Sequence, residues 1–233
     1  MSGKLYGIGV GPGDPELLTL KAKRILDGAD VIAVPVKEAG ALSTALEIIR
    51  PVVDLEKKEL LEVVFRMAKD TEERKKCRAA AGEQLTAELS KGKNIAMITL
   101  GDVSVYSTYM YVNQYVAEHG FETEIIPGIP SFCSGAAAAK LPLMEGNESL
   151  VIVPSVRSGQ EVEDAIAHYD NVVVMKAGGS IPKLLELMEK HGRSRACATV
   201  ISCVGMKDEY IGPMDPERSY SYFTTVIIKR EKR

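Results

Sequence analysis

The sequence has few residues of the kinds that build metal centres, disulfide frameworks or hydrolytic triads. Its four cysteines, at positions 77, 133, 197 and 203, have no C-x-x-C spacing, and it has three histidines. This pattern argues against a zinc site, and because no signal peptide is recognised, we expect reduced thiols in the cytoplasm. No Ser/His/Asp or Cys/His arrangement is evident. We therefore assign no catalytic residue and no metal site.

A strong charge of one sign and a long apolar run are lacking as well. The net charge is -3 and the pI is near 5.8, so the chain lacks the basic field that nucleic-acid binding usually requires. No apolar run reaches the length of a membrane span. With 233 residues, 45% of them apolar, the chain can bury an ordinary core as one or two globular domains.

Glycine is concentrated in the first predicted strand and the turn after it, at alternate positions from 7 to 13. A backbone with so many glycines passes close to a neighbouring group, either a ligand or another part of the chain. The dinucleotide fingerprint needs glycine at relative positions one, three and six, but the sixth position is Pro12 when counted from Gly7 and Asp14 when counted from Gly9. The spacing disfavours a nicotinamide cofactor. A tight turn without a ligand stays open as the alternative.

Apolar runs alternate with helical patterns along the chain, which predicts an α/β fold with mostly parallel or mixed sheets. A proline and glycine cluster at 127–131 predicts a hinge. We expect two α/β domains, 1–127 and 128–233, with a ligand cleft between them. The predicted strands are 5–10, 31–36, 95–100, 122–126, 149–154, 171–176, 198–204 and 223–229. The predicted helices are 19–28, 42–50, 69–91, 105–118, 131–140, 161–168 and 181–191.

Three segments of the first domain lie at the carboxyl ends of predicted strands: 9–14, 100–108 and 127–131. Because ligands of open α/β sheets bind beyond these ends, we expect the three segments to meet in one cleft. In the second segment Gly101 lets a ligand approach the backbone. Two compatible roles stay open for Asp102, which are contact with a ligand and N-cap of the following helix.

Taken together, GVGPGDPELLTLKA at 9–22, GDVSVYST at 101–108 and PGIPSF at 127–132 resemble the tetrapyrrole methyltransferase family. These are S-adenosylmethionine enzymes that modify corrin rings and siroheme, and the resemblance covers nearly the whole chain. The YST at 106–108 is similar to the branch that methylates carbon 20 of precorrin-2 or cobalt-precorrin-2. Val103 stands where the wider family usually has proline, which leaves free a φ angle that proline would fix.

The resemblance implies a site for S-adenosyl-L-methionine, which leaves as S-adenosyl-L-homocysteine. It places the cofactor against the first domain and the hinge, and places the adenine against three residues of the second domain. The implied residues of the first domain and hinge are Pro12, Leu100, Gly101, Asp102, Val105, Tyr106, Ser107, Thr108, Pro130 and Ser131. Those of the second domain are Met175, Val204 and Thr225.

The resemblance also implies that the glycine-rich loop serves the tetrapyrrole more than the cofactor. A flat macrocycle can lie against a backbone that carries no side chains. Because the ring bears many carboxylates, we expect cations at nearby strand ends, with arginine the better bidentate partner. The substrate residues expected on these grounds are Gly9, Gly11, Gly13, Asp14, Lys37, Arg157 and Lys176.

The chemistry of the family accounts for the absence of a triad. A sulfonium methyl group is electrophilic and the reduced ring carbon is nucleophilic. The protein therefore needs to align these two groups more than it needs a strong nucleophile of its own. The resemblance implies a homodimer. Three questions stay open: whether the ring is metal-free or cobalt-loaded, whether the acceptor is another corrin position or the diphthamide precursor, and whether the chain only binds a tetrapyrrole or nucleotide without catalysis.

Overall fold

The computed structural model describes residues 2–66, 70–154 and 159–230. The chain forms two compact units, Met1–Pro130 and Ser131–Arg233. The sequence predicts a boundary after residue 127, and the compact units divide after Pro130.

The first unit is built on a five-stranded sheet in which all neighbouring strands run parallel. Its strands are β1 (Lys4–Gly9), β2 (Val31–Val36), β3 (Glu59–Val64), β4 (Ile95–Thr99) and β5 (Glu122–Ile126). They are arranged in the order β3-β2-β4-β1-β5. The carboxyl ends of β4, β1 and β5 therefore lie side by side at one edge.

Helices cover both faces of this sheet, which explains why its inner strands are apolar along nearly their whole length. The helices are α1 (Leu20–Gly28), α2 (Thr44–Ile49), α3 (Thr71–Ser90) and α4 (Tyr109–Glu118). Because successive strand residues face opposite sides, Ile32 packs in the core with α1 and α2, whereas Val31 packs in the core with α3 and α4. The hydroxyl of Thr19 caps α1 by accepting from the Ala22 amide at 3.1 Å.

Tyr109, the first residue of α4, fixes this helix against β1. Its ring is fully buried, and a Cβ atom on Gly7 would lie 2.3 Å from the ring. Gly7 therefore has no side chain because the Tyr109 ring occupies that space. The first glycine of the N-terminal series is explained by packing inside the protein.

The second unit has a mixed five-stranded sheet. Its strands are β6 (Leu150–Val153), β7 (Asn171–Met175), β8 (Ala198–Ser202), β9 (Tyr210–Pro213) and β10 (Thr224–Ile228), and its helices are α5 (Ser131–Ala138), α6 (Gly159–His168) and α7 (Ile181–Lys190). The order is β6-β7-β10-β8-β9. The pair β6 and β7 is parallel, and the other three pairs are antiparallel.

The predicted α/β class with parallel and mixed sheets is confirmed, but β3 and β9 are missing from the prediction. Both are edge strands. Glu59 and Glu62 interrupt the apolar pattern of β3, and β9 contains Gly212 and Pro213, which are typical of turns and tolerated at a sheet edge. The predicted start of a helix at 105 is also wrong, because Tyr106 has a φ of 49° and α4 begins only at Tyr109.

Asp170 connects three chain segments at one edge of the second sheet. Its carboxylate accepts from the Ser149 amide at 2.9 Å and from the Ser149 hydroxyl at 2.8 Å. It also accepts from the Arg230 guanidinium at 2.6 Å. The hydrogen bonds from Ser149, followed by the charge and hydrogen bond of Arg230, lower the pKa of Asp170 to about 2.

Replacing Asp170 by Asn should lower the unfolding temperature near neutral pH and have less effect in acid. The pKa of Asp170 in the folded chain, about 2, lies below its ordinary value of 3.8. The carboxylate therefore stabilises the fold above pH 3.8, and this contribution disappears as the pH falls through about 2. Thermal unfolding of both proteins from neutral pH down to about pH 2 measures the difference.

Asp208→Asn is the matched control, because among the described residues the exposed Asp208 side chain has no hydrogen-bond or ion-pair partner. We expect this control to unfold like the wild-type chain near neutral pH. A deficit of Asp170→Asn that stays constant down to about pH 2 would contradict the linkage.

Candidate functional site

Three loops meet at the carboxyl edge of the first sheet, following β1, β4 and β5. The first two are joined by an antiparallel bridge between Gly11 and Gly101. The Gly101 amide donates to the Gly11 carbonyl at 2.8 Å, and the Gly11 amide donates to the Gly101 carbonyl at 3.2 Å. Both glycines have a positive φ, 79° for Gly11 and 73° for Gly101, which side chains rarely allow. These two glycines are required by the backbone path itself.

The loop after β5 packs against the other two through backbone alone. A Cβ atom on Gly128 would lie 2.2 Å from the Gly101 carbonyl oxygen and 2.7 Å from the Gly9 carbonyl carbon. A Cβ atom on Gly9 would lie 2.5 Å from the Gly128 nitrogen. The missing side chain of Gly9 thus makes room for the chain itself. Its role in holding a macrocycle stays a prediction.

Asp102 joins the β4 and β5 loops. It is 7% exposed. One carboxylate oxygen accepts from the Ser104 amide at 2.8 Å and from the Ser104 hydroxyl, and the other accepts from the Gly128 amide at 2.8 Å. The alternative that Asp102 caps the following helix is wrong, because α4 begins at Tyr109 with Thr108 as its N-cap residue. The carboxylate holds two loops together instead.

The segment 105–108 forms the connection from this loop to α4. Val105 is half-buried, whereas Tyr106 is 51% exposed with a φ of 49°. The Ser107 hydroxyl accepts from the Tyr109 amide at 3.1 Å and lies 3.4 Å from the Thr99 hydroxyl. The Ser107 side chain thus stabilises the entry to α4, and the Tyr106 side chain is the more exposed of the two.

The remaining predicted residues of the first unit lie in the same loops. Pro12 and Gly13 are buried. Asp14 caps a short 3-10 turn, its carboxylate accepting from the Glu16 amide at 2.8 Å. Pro130 is half-buried at the end of the first unit, and Ser131 begins α5 in the second. Leu100 is half-buried directly after β4.

In the second unit the predicted residues share one sheet edge. Strands β7 and β8 end there and the antiparallel β10 begins there, with Met175 opposite Thr225. The Cys203 amide donates to the Phe223 carbonyl at 2.9 Å, which holds Val204 near the start of β10. Thr225 is 4% exposed and Val204 is 6% exposed. Met175, Val204 and Thr225 are therefore brought to the same edge.

The predicted cations follow different strands. Lys37 is exposed after β2, and Lys176 is exposed after β7 with a φ of 55°. Arg157 lies outside the described residues. The sequence prediction does not include Arg66, because it does not include β3, the strand that Arg66 follows. The signal that could have found it is the mixed pattern ELLEVV before it.

Within 2–66, 70–154 and 159–230, no group of three or more His, Cys, Asp or Glu side chains is placed to hold a metal ion. In the same residues, no helix has both the length and the apolar character needed to cross a membrane.

The amino-acid sequence matches the family described as Tetrapyrrole (Corrin/Porphyrin) Methylases over residues 4–215. It is 38% identical to the probable cobalt-precorrin-2 C(20)-methyltransferase of Methanocaldococcus jannaschii, over 99% of this chain and 97% of that protein. It is 32% identical to the cobalt-precorrin-2 C(20)-methyltransferase of Salmonella typhimurium, over 99% of this chain and 98% of that protein.

Solved structures have the same fold. A cobalt precorrin-4 methyltransferase superposes with a TM-score of 0.76 at 21% identity, over 97% of this chain and 94% of that one. The uroporphyrin-III C-methyltransferase of Thermus thermophilus, complexed with S-adenosylhomocysteine, has a TM-score of 0.67 at 22% identity, over 97% of both chains. Because the sequence identities are only 21% and 22%, the similarity to these structures establishes the fold alone.

Gly128→Ala should destabilise the first unit, because the added Cβ meets backbone atoms of Gly9 and Gly101 that no side-chain rotation can move. We expect a loss of roughly 1–3 kcal/mol in the free energy of unfolding, measured by urea denaturation. Gly28→Ala is the control, since among the described residues no atom outside its own helix backbone and chain neighbours lies within 4 Å of its added Cβ. Equal stability of the two variants would contradict the close approach of the loops.

Asp102→Asn should loosen the β5 loop. Asparagine keeps one oxygen and turns the other into a donor, so the amide of Gly128 or of Ser104 loses its acceptor, at a cost of about 1–3 kcal/mol. Hydrogen exchange of the Gly128 amide should accelerate, whereas exchange within β2 should change only by the loss of global stability. Unchanged exchange at Gly128 would show that the carboxylate does not hold this loop.

Proposed function

The chain belongs to the tetrapyrrole (corrin/porphyrin) methylase family, and on that premise we propose that it transfers a methyl group from S-adenosyl-L-methionine to carbon 20 of cobalt-precorrin-2. The family predicted from three sequence motifs is confirmed by the match over residues 4–215. The identity of 38% over 99% of the chain to a relative named for this substrate and this carbon carries the proposal. The Salmonella relative has the same substrate and carbon in its name.

The first unit offers a surface that fits the methionine part of the cofactor. Gly101 is buried, and within the described residues, its chain neighbours apart, the only atom within 4 Å of an added Cβ is the Ile129 carbonyl oxygen at 3.9 Å. The half-buried side chains of Leu100 and Val105 stand on either side in sequence. A stretch of backbone without a side chain, beside apolar side chains, suits an amphiphilic chain. Bound here, S-adenosyl-L-methionine supplies an electrophilic methyl group.

The residues of the chain align the methyl donor with the acceptor carbon of the ring. Methyl transfer from a sulfonium to an electron-rich ring carbon needs alignment more than a protein nucleophile. Asp102 serves this as a positioning residue, because both of its oxygens are engaged by the loops. Its direct contact with the cofactor stays a prediction, as do those of Pro12, Pro130 and Ser131. We assign no general base.

The same edge carries side chains suited to a flat ring with carboxylates around it. Leu20, at the start of α1, is 90% exposed, and Leu42, between β2 and α2, is 94% exposed. Leucines this exposed are favourable where a ligand covers them. Lys37 leaves the same edge after β2. We propose that the ring covers such apolar side chains and that cations contact its carboxylates.

For the second unit we propose that the sheet edge at Met175, Val204 and Thr225 contacts the adenine. The support is that register and hydrogen bonding bring the three residues to one edge. A contact of Lys176 or Arg157 with the substrate and a homodimeric assembly stay predictions.

The decisive experiment follows a labelled methyl group. The purified chain is incubated with S-adenosylmethionine carrying a carbon-13 methyl group and with cobalt-precorrin-2 or metal-free precorrin-2, and the product is read by NMR. We expect one labelled methyl group, on carbon 20, and faster transfer to the cobalt-loaded ring. Calorimetry should show binding of S-adenosylhomocysteine.

Each alternative has its own result. Label on another ring position assigns the chain to a different member of the family. Faster transfer to the metal-free ring overturns the choice of cobalt-precorrin-2. Absence of both transfer and S-adenosylhomocysteine binding favours a protein that only binds tetrapyrroles.

A further inference from the structure

We propose that Arg66, beside Lys37 at the carboxyl end of the first sheet, binds a carboxylate of the tetrapyrrole, an assignment that rests on the proposed function. Arg66 is outside every motif used to recognise the family, and only the observed strand β3 places it at this edge. It would be a specificity-determining residue for the acidic ring.

The register of β2 and β3 brings the two cations together. Val36 pairs with Val64 in the parallel ladder, and the Phe65 amide donates to the Val36 carbonyl at 2.8 Å. Lys37 and Arg66 therefore leave the sheet within two residues of the last paired positions. Strand β2 also pairs, through Val31–Ala33, with β4, the strand that leads into Gly101.

The acidic residues of β3 are engaged by other partners. Glu59 forms an ion pair with Lys93 at 2.5 Å at the amino end of the strand. The Glu62 carboxylate accepts from the Gly40 amide at 3.0 Å. In the described parts of the chain no carboxylate contacts the exposed Arg66 guanidinium, so its charge is available to an anion.

Lys37, Glu38, Glu62 and Arg66 carry no net charge together at this end of β2 and β3, and the Glu62 carboxylate is engaged by the Gly40 amide. The guanidinium presents a planar fork that fits both oxygens of a carboxylate, whereas an ammonium binds as a point charge. One carboxylate on the periphery of the ring can thus bind the Arg66 guanidinium through both of its oxygens, and another can bind the Lys37 ammonium as a point charge.

The test uses the full chain with cobalt-precorrin-2 and S-adenosylmethionine. Arg66→Gln should raise the KM for the ring roughly fivefold to tenfold. We expect kcat and the affinity for S-adenosylhomocysteine to stay within about twofold, because only a substrate carboxylate loses a partner. Arg66→Lys should give an intermediate KM, since it restores the charge without the fork.

Arg24→Gln is the matched control. Arg24 is an exposed arginine on α1 of the same unit, and it too contacts no carboxylate within the described residues. Its loss removes one charge and should leave the KM unchanged. An equal rise in both variants would indicate a general effect of charge and overturn the assignment to Arg66.

The remaining outcomes separate this assignment from the proposed function. A wild-type chain that methylates the ring, with Arg66→Gln at an unchanged KM, overturns the role of Arg66 alone. A wild-type chain that neither binds nor methylates the ring overturns the proposed function and the role of Arg66 together. Thermal unfolding of Arg66→Gln should match the wild type, since the exposed guanidinium makes no ion pair to lose within the described chain.

Discussion

The candidate site depends on a contact between backbones that leaves no room for side chains. Gly9, Gly101 and Gly128 approach so closely that a Cβ on Gly9 or Gly128 would overlap the neighbouring chain. Asp102 secures this contact by accepting the Gly128 amide. Three loops from neighbouring parallel strands are thereby fixed to one another, and the surface that they present is set by the backbone.

This arrangement suits a reaction in which the protein supplies geometry. An enzyme that needs no nucleophile of its own gains most from holding the acceptor carbon, methyl group and sulfur in line. Loops bound by backbone hydrogen bonds and a buried carboxylate keep their positions better than loops anchored by long side chains, which lose more conformational entropy when fixed. The absence of a recognisable triad in the sequence is consistent with loops that are anchored to one another by their backbones.

The sequence predicts the inner strands well because burial on both faces selects continuous apolar runs, as in β2. It misses β3 because an edge strand tolerates polar residues such as Glu59 and Glu62 on its exposed side. The three loops are predictable from glycine and proline motifs. The partners of Asp102 are not, because the Gly128 amide is 26 residues away in sequence and is brought near by the pairing of β1 with both β4 and β5.

The charged side chains at the two ends of the first sheet differ in their partners. This difference supports a role in stability for the amino end and a role in ligand binding for the carboxyl end. At the amino end, Lys93 pairs with both Glu59 and Glu88, and the Asp30 carboxylate accepts the Asn94 amide. At the carboxyl end Arg66 contacts no carboxylate among the described residues. A fold gains little from an uncompensated cation, whereas a site for an acidic ligand requires one. The charge pattern therefore points to the same edge as the glycine loops, although it arises from different strands.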